Sequence, residues 1–593
     1  PLNLLMRWEP STRATFRRRF AVAESQPDIS IGLTAYRRAW IFLDGTPLSV
    51  SAPSNWKKQA VCKIPRRLLN PGDHELKITV ENRMGPPIFH LTSSLTELET
   101  LAGWQSTEDG VNWSPVGRVG DKSRPALSGE FPSVTEGLRH CLPFLVPLFL
   151  GTLSLGWLRG AWSRRITAPR SVRLILFSGW VVLGINNMFR LDNTQGFDGE
   201  DHLAYIRFIL EQHGLPSAAD GLQMFQPPLY YLVQASVLWF ARRLMPFNYV
   251  QLSLSLVPLI CGLILIEVSY RLLKELFLEN ETAQSCGLLI AGLLPMNLYM
   301  CQFLGNEPLA AVLTALLLLL TIKGLRSSEP YQHWHFVFLG GIAGLAILAK
   351  VTPLLLVPVI CAFIVASPTT KPETFKSRVS AACIFLVTTA LVAGWFFFRN
   401  SLLFGKPFVG GWDPCRHFVW WQDPGYRLCS DYFSFGRSFR QPVFASFNGL
   451  PDGFYSTFWS DGYLSGNASI WSKPPWNYTC LAAETGFSVV PASLMLCGIA
   501  LAFWRSGRRD SWPFTLLAAS ICVCLAALVH LHLSLPIYST AKASYSMGLT
   551  PAYGAMAALG AEKLICTRLR GRVVGAVLIV WAVLSYASFF VLA

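Results

Sequence analysis

Residues 193–231 read NTQGFDGEDHLAYIRFILEQHGLPSAADGLQMFQPPLYY. Four ionisable residues, Asp198, Glu200, Asp201 and His202, crowd the opening loop. In the stretch that follows, Leu203, Ile206 and Leu210 fall on one helical stripe, and Gly214 and Pro216 stop the helix. An apolar span at 171–188 precedes the loop, so the stripe is expected to face the membrane. Carboxylates at the mouth of a membrane bundle are costly unless they do something. One acid near a helix start is accounted for by the helix dipole; three acids and a histidine are not. Membrane-face chemistry on a charged or polar substrate is therefore the leading expectation.

Composition supports this setting. Of 593 residues, 52% are hydrophobic and 14% charged, against about 25% charged in a soluble protein. Many windows exceed the roughly 18–20 apolar residues that span a bilayer. The net charge of +15 comes from Lys and Arg clustered in short loops beside apolar spans, the pattern of the positive-inside rule, which argues against nucleic-acid binding. The fourteen Cys form no CxxC pair and no metal-like Cys/His spacing. Most lie in apolar spans as small apolar side chains. Cys415 and Cys429 share a polar loop and can pair if it is extracytoplasmic. The chain begins at Pro1 without Met, and an upstream signal peptide or span is expected.

Residues 1–135 differ from the rest. Ile29, Ile31, Leu33 and Ala35 alternate, as do Leu76, Ile78 and Val80, the period of half-buried strands. Asp44-Gly45, Pro71-Gly72 and Asp109-Gly110 are turn dipeptides between such runs. An extracytoplasmic all-β sandwich is expected here. AWIFLDGTPL (39–48) and IPRRLLNPGDHELKITVEN (64–82) resemble jelly-roll, carbohydrate-binding-like domains. A structural cap is the plainer alternative.

A linking span and a basic cytoplasmic loop with Arg159, Arg164, Arg165 and Arg170 occupy 136–170. Residues 171–593 form a polytopic α-helical domain, with extracytoplasmic loops at 189–249 and 399–486. Apolar spans are expected near 141–158, 171–188, 250–270, 284–302, 307–325, 336–349, 352–366, 378–398, 487–504, 512–531, 543–562 and 573–592, about twelve in all. Residues 228–247 are assigned to the interface. That choice alone puts the basic loops around Arg271/Lys274, Lys323/Arg326, Lys371/Lys376/Arg378, Arg505/Arg508/Arg509 and Lys563/Arg568 on one side. Asn306-Glu307, Lys350, both polar loops and 532–542 then share the opposite face.

At this point a resemblance becomes specific. An acid (Asp198) followed four residues later by His202, a helix ending in GLP and then QPPLYY is similar to the glycosyltransferase C superfamily, whose members include protein O-mannosyltransferases and the aminoarabinose transferases of lipid A. LLPMNLYMCQFLGNEPLAA (293–311), GLAILAKVTPLLLVP (344–358), GWFFFRNSLLFGKP (394–407) and STAKASYSMGLTPAYG (539–554) resemble later segments of that superfamily, in order. The resemblance implies a membrane glycosyltransferase that moves a sugar, hexosyl or pentosyl, from a polyprenyl-phosphate donor to a glycan, lipid or protein acceptor on the extracytoplasmic face. It implies an integral protein of the bacterial inner membrane with a periplasmic active face. A non-catalytic scaffold subunit of a larger complex is the alternative. A transporter is disfavoured, since no internal repeat is seen and the charges sit at one face.

Transfer to a neutral hydroxyl needs a base, and the departing lipid phosphate needs cations or a metal. Asp198 matches the superfamily's first-loop acid and is the expected base. Glu200 and Asp201 are expected as assistants, but Gly199 stands where many relatives carry a second acid, a departure that leaves the assignment within the cluster open. Glu307 is the second catalytic candidate, and Asp198 with Glu307 would be the ligands if a divalent ion is held. His202, Tyr230 and Asn306 are expected to touch substrate, with a loop histidine and a helix-capping Asn as the plain alternatives. Lys350, Arg399 and Lys542 are the cations for the phosphate, against snorkelling anchors; Lys542 is the best of them. Asp461 is a weaker acid. Trp412, Trp420, Trp421, Trp459, Trp471 and Trp476 stack on sugars or sit at the bilayer interface.

Overall fold

The computed structural model describes residues 12–23, 27–35, 38–48, 59–82, 87, 89–100, 103–116, 131–157, 167–326, 332–366, 374–411, 413–416, 430–447, 449–466, 473–506, 508–535, 540–565 and 567–592. Arg159, Arg164, Arg165, Lys371, Trp412, Trp420, Trp421, Cys429 and Trp471 lie outside them. The chain is a polytopic α-helical membrane protein with an N-terminal all-β sandwich. Its residues divide into two compact units, one built mainly on the N-terminal strands and one helical.

In the first unit β1 (Thr12–Val22), β3 (Arg38–Leu43), β4 (Thr46–Leu48), β6 (Gly72–Asn82), β8 (Gln105–Thr107) and β9 (Ser114–Pro115) form one sheet, ordered β4-β3-β6-β1-β8-β9. A second sheet holds β2 (Ile29–Ala35), β5 (Ala60–Ile64) and β7 (Phe89–Ser93) in the order β5-β2-β7. The alternation read from sequence sets the inner faces. Ile29, Ile31 and Leu33 from one sheet bury against Phe16, Ile41, Leu76, Ile78 and Val80 from the other. Phe89 joins the two, its ring centroid 4.8 Å from Phe16 and 5.0 Å from Trp104. Asp44-Gly45 takes left-handed φ at both positions (48° and 82°), the two-residue hairpin geometry that matches strand twist. Asp44 also accepts from the Glu75 amide at 2.7 Å and from His74 Nδ1 at 2.6 Å, which locks the turn to β6.

In the helical unit, eight helices among the described residues are long and apolar enough to cross a membrane: Val134–Leu155, Pro169–Met188, Tyr249–Leu276, Glu307–Arg326, Phe375–Phe404, Tyr478–Trp504, Trp512–Ser534 and Arg568–Phe589. His333–Ala349 and Thr352–Ala366 are shorter apolar helices. Eight rather than twelve is a correction with a local cause. The expected span at 284–302 breaks into Glu281–Gly292 and Pro295–Met300, because a proline has no amide hydrogen to donate and crowds the preceding turn. The expected span at 543–562 opens as a 3-10 turn, Ala543–Leu549, before the 15-residue helix Thr550–Leu564. Such a helix rises about 22 Å, short of the roughly 30 Å hydrocarbon core. The 16-residue helix Leu229–Leu244 is likewise outside the set.

The helices close on one another through small residues, as expected where lipid supplies no hydrophobic drive between them. A Cβ on Gly498 would stand 1.9 Å from the Met556 carbonyl oxygen, and one on Gly560 would stand 2.0 Å from that of Leu494. Polar groups within the bundle are satisfied in knots. Asn187 donates to the Phe589 carbonyl at 2.8 Å and to Gln302 at 3.2 Å, and accepts from the Val591 amide at 3.1 Å.

The Gly498 contact makes a test. Gly498→Val should destabilise the bundle by about 1–3 kcal/mol, the usual effect of overpacking, read as a lowered midpoint in thermal unfolding of the detergent-solubilised protein. Gly151→Ala, at a position with nothing within 4 Å, should not lower it.

Candidate active site

The first polar loop is built before its acids are placed. Asp192 accepts from the Thr194 amide at 2.9 Å and hydroxyl at 2.8 Å, which closes the turn Asn193–Gln195. Asn193 then ties that turn to two neighbours: its carbonyl accepts from the Leu304 amide at 3.1 Å, and its side chain donates to the Gln251 carbonyl at 2.8 Å. Two residues before Asn306-Glu307, the second acidic segment is thus fastened to the first.

Asp198 sits in the left-handed region (φ 54°, ψ 27°) at the N-cap position of the helix Gly199–Gln212. Aspartate is one of the few non-glycine residues that adopt this conformation, and here its side chain caps nothing. The carboxylate turns instead to Gln223, whose Nε2 donates to Oδ2 at 2.8 Å. No cation pairs with Asp198 among the described residues. The missing acid at 199 also has a reason, since a Cβ there would lie 2.4 Å from the Thr194 carbonyl oxygen. Glu200 is exposed and Asp201 half-buried on the first turn of the helix.

The expected membrane-facing stripe points the other way. Leu203 and Ile206 are buried against Tyr230, Tyr231 and Leu238 of the helix Leu229–Leu244. Two aromatic-rich helices pack here on each other, and their inward faces are consumed by that contact. His202 belongs to the same packing: its Nδ1 lies 2.8 Å from the Tyr231 hydroxyl, and burial depresses its basicity. Tyr231 in turn stacks on Tyr205 at 3.8 Å. Tyr230, expected to touch substrate, is completely buried, and its hydroxyl accepts from the Gly305 amide at 3.0 Å and Gln234 at 3.1 Å. It braces the second acidic segment from below.

A directed chain of amides connects the two acidic segments. Lys350 Nζ donates to Asn306 Oδ1 at 3.4 Å, and Asn306 Nδ2 donates to Gln226 Oε1 at 3.3 Å. Gln226 Nε2 donates to Gln223 Oε1 at 3.2 Å, and Gln223 donates to Asp198. Lys350 also pairs with Glu307, so one ammonium serves both the carboxylate beside it and the amide chain. Its tip lies 5.4 Å from the Tyr545 ring centre. Beneath Glu307 and Lys350 a cavity of about 20 Å³, lined also by Thr314, Ser544 and Ser546, has room for one water.

Lys542 approaches from the late segment. Its Nζ rests 4.3 Å from the Phe197 ring centre and 5.0 Å from that of Tyr463. The two rings stack on each other at 5.3 Å and 14°. Among the described residues Lys542 has no ion pair and no hydrogen-bond acceptor. Burial lowers its pKa, and the carboxylates of Asp198 and Glu307 work against that. Arg399 is not brought to this cluster; its Nη2 donates to the carbonyls of Leu215 and Pro216 at 3.1 and 2.9 Å. Asp461 is fully buried, accepting from Ser465 N, Ser465 Oγ and Trp476 Nε1 at 2.6, 2.7 and 2.9 Å. Trp459 and Trp476 are core residues rather than sugar platforms.

Asp198, His202, Asn306, Glu307, Lys350 and Lys542 are therefore gathered from four separate stretches of chain. Gln223, Gln226, Phe197, Tyr231, Tyr463 and Tyr545 were missed by sequence reasoning. FQPPLYY was the one signal that pointed near them, through Gln226 and Tyr231. Of the two carboxylates expected to hold a divalent ion, Glu307 is already paired with Lys350, and among the described residues no three His, Cys, Asp or Glu gather.

Residues 227–396 match the family model of dolichyl-phosphate-mannose-protein mannosyltransferase, which bears out the resemblance read from sequence. No curated protein matches the chain. Among solved structures it is similar to the Archaeoglobus fulgidus oligosaccharyltransferase in complex with zinc and sulfate, at 15% identity and TM-score 0.42 over 71% of this chain and 53% of that one. It is similar to ArnT from Cupriavidus metallidurans bound to undecaprenyl phosphate, at 14% identity and TM-score 0.30 over 66% and 77% of the two chains. For the arabinosyltransferase EmbB from Mycobacterium smegmatis the figures are 14% identity, TM-score 0.33, 94% and 51%. The chain spans about half the length of that oligosaccharyltransferase.

The Glu307–Lys350 pair has a measurable signature. Glu307→Gln should destabilise the solubilised protein by about 3–5 kcal/mol, because it strands a buried ammonium. Adding Lys350→Met should recover much of that loss, with both read by denaturant unfolding.

Proposed function

We propose that this chain is a membrane glycosyltransferase that moves a sugar from a polyprenyl-phosphate-linked donor to a hydroxyl acceptor on the extracytoplasmic face, which in a bacterial cell is periplasmic. One observation carries the reading: among the described residues Asp198 is a carboxylate without a cation, and beside it Lys542 is an ammonium without an acceptor. Opposite charges left unneutralised in one site favour ligand groups over a packed interior.

In this reading Asp198 accepts the proton of the acceptor hydroxyl as its oxygen bonds to the anomeric carbon. The bond from that carbon to the phosphate oxygen breaks, and the electron pair leaves on the polyprenyl phosphate. Negative charge grows on that phosphate in the transition state, where Lys542 and the remaining donor capacity of Lys350 meet it. Gln223 fixes the carboxylate, and the amide chain behind it ends on an ammonium, so the base is oriented by a neutral donor. Glu200 and Asp201, in the first turn of the helix Gly199–Gln212, assist Asp198 at the acceptor in this reading. Glu307 acts through Lys350 as a positioning residue. The scaffold reading draws on the same pair, since an acid closed on a lysine offers no chemistry of its own; Asp198 and Lys542, unpaired among the described residues, weigh against it.

The full chain in nanodiscs should bind undecaprenyl phosphate, and Lys542→Met should weaken that binding by about tenfold or more, the worth of one charge-assisted contact. With a panel of polyprenyl-phosphate sugars, Asp198→Asn should cut transfer by about 10²-fold or more while binding stays within a factor of about two. A wild-type chain that ignores the lipid phosphate, or an Asp198→Asn chain that transfers at the wild-type rate, would leave the scaffold reading standing.

A further inference from the structure

The turn at 461–466 is more elaborate than a loop joining two helices needs. Leu464 and Ser465 are consecutive non-glycine residues with left-handed φ, 49° and 51°, followed by Gly466 at 91°. Such backbone persists only where its surroundings over-determine it, and it clusters at functional sites. The surroundings here are specific. The buried Asp461 carboxylate receives the Ser465 amide and hydroxyl on one side and the Trp476 indole on the other. Gly466 lies against Phe197, where a Cβ would stand 2.8 Å from Cδ1.

The geometry has one output. It lays Tyr463 flat on Phe197, and Lys542 rests over both rings. Phe197 immediately precedes Asp198. A single strained turn therefore sets the ring faces that hold the ammonium of Lys542 and abuts the residue next to Asp198, both charges being unpaired among the described residues. Ring faces attract a cation through the π quadrupole but cannot accept its N–H bonds as a carboxylate would. They hold the ammonium in place and leave its charge available. A carboxylate in the same position would hold it equally well and neutralise it.

We infer that Tyr463, fixed by the Asp461 turn, is a positioning residue that presents Lys542 to the phosphate of the lipid-linked substrate. Asp461 is thus a structural anchor of the anion site, not an acid or base in the transfer. The inference rests on the reading of Lys542 as a phosphate ligand given above.

The test measures binding of undecaprenyl phosphate to the full-length chain in nanodiscs. Tyr463→Leu removes the ring and should weaken binding about tenfold, of the order of a desolvated cation–π contact. Tyr463→Phe restores the ring without the hydroxyl and should restore binding, a rescue that a merely structural hydroxyl contact would not give. Asp461→Asn, which keeps the volume but loses the charge that gathers the three donors, should weaken binding at least about threefold; it decides the matter if the Leu variant does not fold. Full binding by folded Tyr463→Leu or Asp461→Asn, with Lys542→Met impaired, overturns this inference alone. Full binding by Lys542→Met overturns the reading beneath it.

Discussion

The hydrogen-bond chain from Lys350 through Asn306, Gln226 and Gln223 to Asp198 is the constraint on which the rest of the helical unit depends. It links the segment before the helix Glu307–Arg326, the end of the shorter apolar helix His333–Ala349 and the loop after Pro169–Met188. Each amide in it both donates and accepts, so reversing one would oppose donor to donor at its neighbours. The positive end is an ammonium and the negative end a carboxylate, and every dipole between them aligns with that field. Buried polar groups are costly unless partnered, so this arrangement fixes how the three segments must approach.

Around that chain the protein separates two kinds of charged residue. Glu307 with Lys350, Arg399 with the carbonyls at 215 and 216, and Asp461 with its three donors are charges used to hold backbone in place. Asp198 and Lys542 are charges held in place by others, one by an amide and one by two rings. Neutral holders orient a charge without cancelling it. This division lets the site keep reactive charge inside a bundle whose other polar groups are tied in knots such as that at Asn187.

The sandwich and the bundle solve different solvent problems with the same rule. In the sheets, alternation sends every second side chain inward, and turns with left-handed residues close the hairpins. In the bundle, apolar surface gives no drive between helices, and close contact at Gly498 and Gly560 together with buried hydrogen bonds supplies the specificity.

Much of this was legible in the chain itself. Period-2 runs such as Ile29–Ala35 located the sheets, because side-chain direction in a strand is set by the backbone alone. Long apolar runs located most spans, because bilayer thickness sets their length. Residue type and local context singled out Asp198, Glu307, Lys350 and Lys542. Where a run of hydrophobic residues stops being one helix was not legible at 284–302 and 543–562, since proline ends a turn locally but hydropathy is averaged over a window. The direction of the stripe at Leu203 and Ile206 was misread for a related reason: an apolar face fits lipid and protein equally well. Only the tertiary structure decided which charges are spent and which remain. Whether a lysine meets a carboxylate, as Lys350 does 43 residues back in the chain, or two rings, as Lys542 does 79 and 345 residues back, is set by distant stretches of chain, and pairing at such distance leaves no mark on local sequence.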